Sequence, residues 1–262
     1  MSRSRCRLDQ LVVARGLAPS RERARALILA GQVRINGHVE PKAGTLVPTD
    51  ILVTVDTPDH PSVSRGGVKL AHALDVFGLD VRDRRALDVG ASTGGFTDVL
   101  LRRGALDVIA LDVGHGQLDW RLRTDPRVIV REHVNARALT RASVPHDVTV
   151  VSIDVSFISL RHILPALLPF LEPGADIVAL IKPQFEAGRE KVGKGGLVTD
   201  PAVHADVVAR VITAAAALGL ECLGQTPSPI TGATGNQEFL VHLRVQRTPG
   251  VGDSSVETAN LL

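Results

Sequence analysis

The chain has 262 residues, 44% of them apolar but only 3% aromatic, and a formal charge of +2. That length suits one large domain, or one large and one small. Cys6 and Cys222 have no metal-ligand spacing and no pair among the nine His reads as a zinc site, which excludes a disulfide scaffold and leaves no expected metal. The start carries no signal-peptide pattern, and the longest apolar stretches are short or broken by Arg210, Glu172, Pro173 and Asp176. A reduced, cytoplasmic chain without stable membrane association is expected.

The charge is unevenly spread. Residues 1–35 carry eight Arg against Asp9 and Glu22, a local +6 that leaves −4 for the remainder. A basic head on a mildly acidic body points to a polyanion partner met at the N-terminus. Leu8, Leu11, Val12 and Leu17 predict a first amphipathic helix ended by Gly16. Ser20 then caps a second, RERARALILAG, ended by Gly31. A strand at Val33 and Ile35, a turn at Asn36-Gly37 and a strand over 51–55 complete the unit. The run Arg7-Leu8-Asp9, Gly16, Ser20-Arg21, Ala24, Ile28, Gly31, Val33 and Asn36-Gly37 resembles the S4 RNA-binding domain over residues 6–56. Arg21 and Arg25, four apart, are expected on one side of the second helix, where with Arg7 they would hold RNA phosphates. Residues 1–56 are therefore read as a small α+β domain, and 57–63, with two Pro and no periodicity, as a linker.

Past the linker, strands are expected at 86–90, 108–113, 128–131, 147–154, 176–182, 222–226 and 238–245. Helices are expected at 64–78, 94–103, 115–123, 160–171 and 201–218. The alternation, with apolar runs suited to strands covered on both faces, predicts a doubly wound, Rossmann-like α/β sheet over 64–246. Its last strand would insert antiparallel beside the fifth. The polar segment 247–262 reads as a loose tail.

The first of these strands runs into a glycine-rich turn, Leu87-Asp88-Val89-Gly90 followed by Ala91, Ser92, Thr93, Gly94, Gly95 and Phe96. Glycines admit close ligand approach, and a helix N-terminus supplies free N–H groups. Asp112, beside Val113 at the end of the next strand, stands where an acid binds ribose hydroxyls. An acid at Asp88, directly before the glycines, favours the cationic end of S-adenosylmethionine over a dinucleotide diphosphate. Asn135 is a candidate for the adenine edge or a simple turn residue.

Asp154 and Lys182 end the fourth and fifth strands, and Glu238 starts the last, so all three are expected at one sheet edge. Lys69 sits on the helix ahead of the first strand, behind Arg65-Gly66-Gly67, and Arg65 is a further candidate RNA contact. These four match the Lys-Asp-Lys-Glu tetrad of FtsJ-like RNA ribose 2′-O-methyltransferases. With the S4-like head, the strings SRGGVKL, DVGASTGGFTDVLL, DVSFISL, IKPQFE and TGATGNQEFL resemble the TlyA family of haemolysin-like rRNA methyltransferases over residues 4–245. The resemblance implies a seven-stranded class I methyltransferase sheet, S-adenosylmethionine as cofactor, and ribosomal RNA or ribosomal subunits as partner, with cytidine as target. It also implies that a lysine assists removal of the ribose hydroxyl proton while the carboxylates orient it. A base-modifying RNA methyltransferase lacks support, since neither an Asn-Pro-Pro-Tyr strand end nor a Pro-Cys pair occurs. A membrane-active cytolysin is the alternative from another class and needs an amphipathic or spanning element. The glycine-rich stretch 186–200, with Arg189, Lys191 and Lys194, is expected to be a mobile lid or a plain loop.

Overall fold

A computed structural model describes residues 4–18, 20–40, 42–55 and 62–246. Residues 57–61 of the expected linker and the whole expected tail lie outside the described residues.

The head contains β1 (Arg5–Arg7), α1 (Leu8–Ala14), α2 (Arg21–Leu29), β2 (Val33–Ile35), β3 (His38–Val39), β4 (Leu46–Pro48) and β5 (Val53–Val55). Ser20 caps α2 as expected, its Oγ accepting from the Arg23 N–H at 3.2 Å. Asn36 and Gly37 take positive φ, 50° and 84°, and turn β2 directly into β3. Strands β1, β3 and β4 were not expected; two or three residues are too few to show alternation. Leu8, Val12, Ile28 and Val33 are fully buried and form the centre of the head core.

The body runs α3 (Gly66–Phe77), β6 (Arg85–Val89), α4 (Gly95–Arg102), β7 (Asp107–Leu111), α5 (Trp120–Arg123), β8 (Val128–Arg131), β9 (Val148–Ile153), α6 (Leu164–Leu167), β10 (Leu171–Ile181), α7 (Pro183–Glu186), α8 (Pro201–Ala216), β11 (Leu220–Pro227) and β12 (Phe239–Val245). The seven-stranded sheet has the order β11-β12-β10-β9-β6-β7-β8. β12 is antiparallel to both neighbours, and the other pairings are parallel. This is the expected class I methyltransferase sheet, with the last strand inserted beside the fifth. Successive residues feed opposite faces: Ile109 and Leu111 enter one core, Val108 and Ala110 the other. Each fully buried Leu, Ile or Val contributes about 1.5–3 kcal/mol.

Two expected helices are shorter than the sequence suggested. The segment 115–123 becomes helical only at Trp120, because Gly114 and Gly116 (φ 66°) shape a loop first. The segment 160–171 is divided by Pro165 and Pro169 into α6 and two flanking 3-10 turns. Among the described residues no helix is long and apolar enough to cross a membrane.

A charge cluster secures the sheet edge remote from the glycine-rich turn. Asp176, 2% exposed, receives Arg84 Nη1 at 2.8 Å and Arg244 Nε at 2.8 Å, with His242 Nε2 at 2.7 Å. Burial alone would raise the Asp176 pKa. The bonds from His242, Arg84 and Arg244 outweigh it and hold the carboxyl at about 2.

Candidate active site

The glycine-rich turn leaves β6 at Gly90, whose φ is 85°. A Cβ on Gly90 would lie 2.4 Å from the carbonyl oxygen of Asp154, so the turn rests against the end of β9 through a contact only glycine permits. Gly90 and Ala91 both donate to the Leu111 carbonyl, at 2.8 and 3.1 Å, which ties the turn to β7 as well. Asp112 Oδ2 accepts from Ser92 N at 2.8 Å, and its Oδ1 from Gly114 N at 2.6 Å. The carboxylate thus braces the turn against the following loop.

Asp88 occupies a different place from the one its charge suggested. Strand alternation sends it below the turn, fully buried, where Thr97 donates at 2.7 Å and Ser152 at 3.0 Å. Burial is the chief cause that pushes its pKa up to about 7, against the opposing effect of the two hydroxyls. Asp88 therefore joins β6 to α4 and β9 and does not line the chamber described below. Asn135 also stands apart: it is exposed, and its Oδ1 accepts from Arg137 N at 3.0 Å, the local pattern of an Asx turn. Val113 is exposed at the surface beside Asp112.

The four charged candidates assemble as two ion pairs. Lys69 Nζ donates to Glu238 Oε2 at 2.5 Å, and both residues are buried. Lys182 Nζ lies 2.6 Å from Asp154 Oδ1 and donates to Ser156 Oγ at 2.9 Å. Topology explains the meeting: Phe239 is opposite Ile181 in the antiparallel β10–β12 pair, so Glu238 and Lys182 flank one register position. Lys69 and Asp154, one from each pair, line a cavity of about 650 Å³ that also receives Gly90, Ala91, Ser92, Thr93, Gly95 and Phe96 of the turn. That volume lies in the range of small-molecule sites, about 300–1,000 Å³.

The head supplies the opposite wall. Helix α2 presents Arg25, Ala26 and Leu29 to the cavity, and Arg65 lines it from the body side. Arg23 Nη1 meets Asp119 Oδ2 at 2.6 Å, joining α2 to the loop after β7. The expected basic face of the head is thereby divided. Arg7 and Arg21 both bond the buried carboxylate of Asp9, at 2.8 and 3.3 Å, while remaining half-exposed. Hydrogen bonding from Arg7, foremost, holds the Asp9 pKa below its ordinary value. Arg25 stands over the chamber instead.

Several residues of this region were not expected. Ser156 fixes Lys182, Thr97 and Ser152 satisfy Asp88, and Phe157 projects from the loop after β9, 90% exposed at φ 64°. A Phe between Ser156 and Ile158, directly after a strand end, was the available signal. The stretch 186–200 is more tightly held than a mobile lid implies. Asn236, 1% exposed, accepts from Val198 N and donates to the Gly196 carbonyl, each at 2.8 Å, and Lys191 pairs with Asp206 at 2.9 Å.

With this geometry in view, comparisons with known proteins place both parts of the chain. The FtsJ-like methyltransferase family matches residues 62–245, and the S4 domain matches residues 6–50. The chain is 48% identical over 256 residues to a Mycobacterium tuberculosis protein named 16S/23S rRNA (cytidine-2′-O)-methyltransferase TlyA, covering 97% of this chain and 96% of that one. It is 33% identical over 250 residues to the 23S rRNA (cytidine-2′-O)-methyltransferase TlyA of Campylobacter jejuni, covering 88% and 96% respectively. A solved structure from Streptococcus thermophilus, described under a hemolysin name, aligns with TM-score 0.73 and 43% identity over 95% of this chain and 91% of that chain.

Proposed function

The chain belongs to the TlyA family of FtsJ-like methyltransferases, and on that premise we propose that it transfers the methyl group of S-adenosylmethionine to a ribose 2′-hydroxyl of ribosomal RNA, at cytidine. The observation that carries this reading is the assembly of Lys69–Glu238 and Lys182–Asp154 against the same chamber as the glycine-rich turn.

The residues present fit the cofactor. The open turn from Gly90 to Phe96 offers backbone to the methionine end, and Asp112, beside that turn with its oxygens on Ser92 N and Gly114 N, is assigned to the ribose diol. When bound, S-adenosylmethionine supplies an electrophilic methyl group on a sulfonium. Transfer to a ribose 2′-oxygen would require an in-line approach and loss of the hydroxyl proton, so orienting the acceptor and taking up that proton would fall to this chain's residues. Lys182, held between Asp154 and Ser156, is the group assigned to that proton and to the oxygen's developing charge. The Lys69–Glu238 pair brings a second cation and its counter-charge to the chamber wall without leaving an unpaired buried charge. Alignment of oxygen, carbon and sulfur makes positioning a large part of the rate.

Arg7 and Arg21 on the head, and Arg25 and Arg65 on opposite walls of the chamber, are assigned to RNA phosphates. Exposed Phe157 offers an aromatic face on which an unstacked base can rest. The ribosomal subunits of the cytoplasm are the proposed setting.

The test is to incubate the protein with cofactor and each isolated ribosomal subunit, then map ribose methylation by alkaline hydrolysis. A 2′-O-methyl group blocks cleavage at its own nucleotide, so a new gap in the ladder is expected. Lys182→Ala should lower transfer by about 10²–10⁴-fold and leave RNA affinity unchanged. Methyl incorporation without a gap would identify a base as the acceptor and overturn the ribose assignment.

A further inference from the structure

The loop leaving β9 carries Asp154, Ser156 and Phe157, and it is held at both ends by one short segment, Lys182 to Glu186. At the front, Lys182 meets Asp154 and Ser156. At the rear, Glu186 accepts two bonds: Ser159 Oγ donates to Oε2 at 2.6 Å, and Leu160 N donates to Oε1 at 2.7 Å. Glu186, Ser159 and Leu160 are all buried. Glu186 lies one helical turn beyond Lys182, at the end of α7, whose Pro183 fixes the start.

We propose that Glu186 is a positioning residue for methyl transfer, its buried carboxylate keeping the acceptor-side loop in register with Lys182. The proposal rests on the reading that Lys182 and Asp154 serve the acceptor hydroxyl. The carboxylate accepts through both of its oxygens, so it satisfies a side-chain and a backbone donor of the same loop together. A carboxylate kept under cover with these partners is a poor choice for stability alone, since an apolar packing of the same volume is often as stable.

Phe157 gives the second reason. It is a bulky residue in the left-handed region, at φ 64°, with its ring 90% exposed and 5.0 Å from that of Phe185. Such backbone strain persists where the surroundings over-determine it. The contacts that do so here are the Lys182 bonds before Phe157 and the Glu186 bonds after it. Releasing the rear bonds frees the loop to relax beyond Asp154, whose backbone N–H stays bonded to the Val89 carbonyl at 2.9 Å, and this moves Ser156 and with it Lys182. Phe185 sits next to Glu186 in the same helix, so the pair of rings is set by the same anchor. Neither Glu186 bond reaches the glycine-rich turn, and cofactor affinity should therefore not depend on them.

The experiment compares wild type with Glu186→Ala, Glu186→Gln and Ser159→Ala in the full chain. It reads single-turnover methylation of a ribosomal subunit at saturating RNA, cofactor affinity by calorimetry, RNA affinity and thermal melting. Glu186→Ala should slow transfer by about 10²-fold, the cost of a displacement near 1 Å at a reacting centre. Glu186→Gln keeps one accepting oxygen and should recover about a tenth of the wild-type rate or more. Ser159→Ala, which removes one of the two bonds, should resemble Glu186→Gln. Cofactor affinity should stay at its wild-type value in all three, and saturating RNA keeps any loss of stacking on Phe157 out of the measured rate. If Glu186→Ala fails to fold, the other two variants still decide the matter. Wild-type transfer rates in Glu186→Gln and Ser159→Ala would overturn the proposal, as would a loss matched by weaker cofactor binding or by the unfolded fraction. A wild-type chain that leaves ribose unmethylated refutes the activity first, and the proposal with it; an active wild type with unimpaired variants refutes the proposal alone.

Discussion

Asp88 and Asp176 lie in the same sheet, both nearly or wholly buried, yet their carboxyl groups are driven in opposite directions. Asp88, beneath the glycine-rich turn, meets the neutral donors of Ser152 and of the Thr97 side chain and backbone, and burial raises its pKa to about 7. Asp176, at the other edge, meets two guanidiniums and an imidazole and stays at about 2. The difference shows that a covered acid stays ionised where several cationic partners together outweigh the burial penalty, and not where neutral donors alone oppose it. It also separates the tasks of the two edges: one is pinned by a saturated ion cluster, the other keeps its titratable groups in pairs around an open chamber.

The largest test of this contrast is Asp176→Ala. It leaves Arg84, His242 and Arg244 facing one another without a counter-charge and should cost about 3–5 kcal/mol, read by denaturant unfolding. Transfer rate per folded molecule should be unchanged, and a rate loss at full folding would contradict the division between the edges. Asp88→Asn comes next and acts through pH. Its folded pKa, about 7, is above the ordinary 3.8, so ionisation costs stability that is intact below pH 3.8 and falls away as pH rises to 7. The variant's stability relative to wild type should therefore grow from pH 4 to pH 7 and level off beyond, in melting curves taken across that window; a flat difference would refute the raised pKa.

Asp176 predicts the reverse slope. Its folded pKa, about 2, is below the ordinary 3.8, so its contribution is complete above pH 4 and lost as pH falls to 2. Asp176→Asn should remove that part of the acid transition. Thr97→Val, which deletes one of the two donors to Asp88, should cost about 1 kcal/mol and extend the alkaline decline of stability above pH 7. The smallest effect belongs to Arg244→Ala, whose side chain is 44% exposed; discounted for solvent, it should cost about 0.5 kcal/mol. A larger loss there than at Thr97 would show that exposure was a poor guide to the strength of the cluster.

Much of the fold was legible because its signals are local. The strand at Arg85–Val89, the turn after it and Ser20 at the head of α2 each declare themselves within a few residues. The convergence of Lys69, Asp154, Lys182 and Glu238 on one sheet edge was legible from the strand ends, and the four residues meet there as two ion pairs. What escaped depends on direction or distance. Asp88 was read by its charge and its nearness to glycine, whereas the pleat of β6 puts it on the face of Ala86, under α4. Asn135 was weighed as a cofactor contact, but its side chain bonds its own backbone two residues on. Arg23 and Arg25, two residues along α2, point about 200° apart around its axis, which sends the first to Asp119 and the second to the chamber. No spacing within the head could have revealed either partner.

The salt bridge between Lys69 and Glu238 spans 169 positions of sequence. A ribosome making this protein delivers the lysine long before it delivers the glutamate, and β12, the strand that seats between β10 and β11, follows that glutamate at once. Until then the candidate site has only one of its two ion pairs. A chain that stops short of Glu238 therefore leaves buried Lys69 without its counter-charge and the sheet without the strand between β10 and β11.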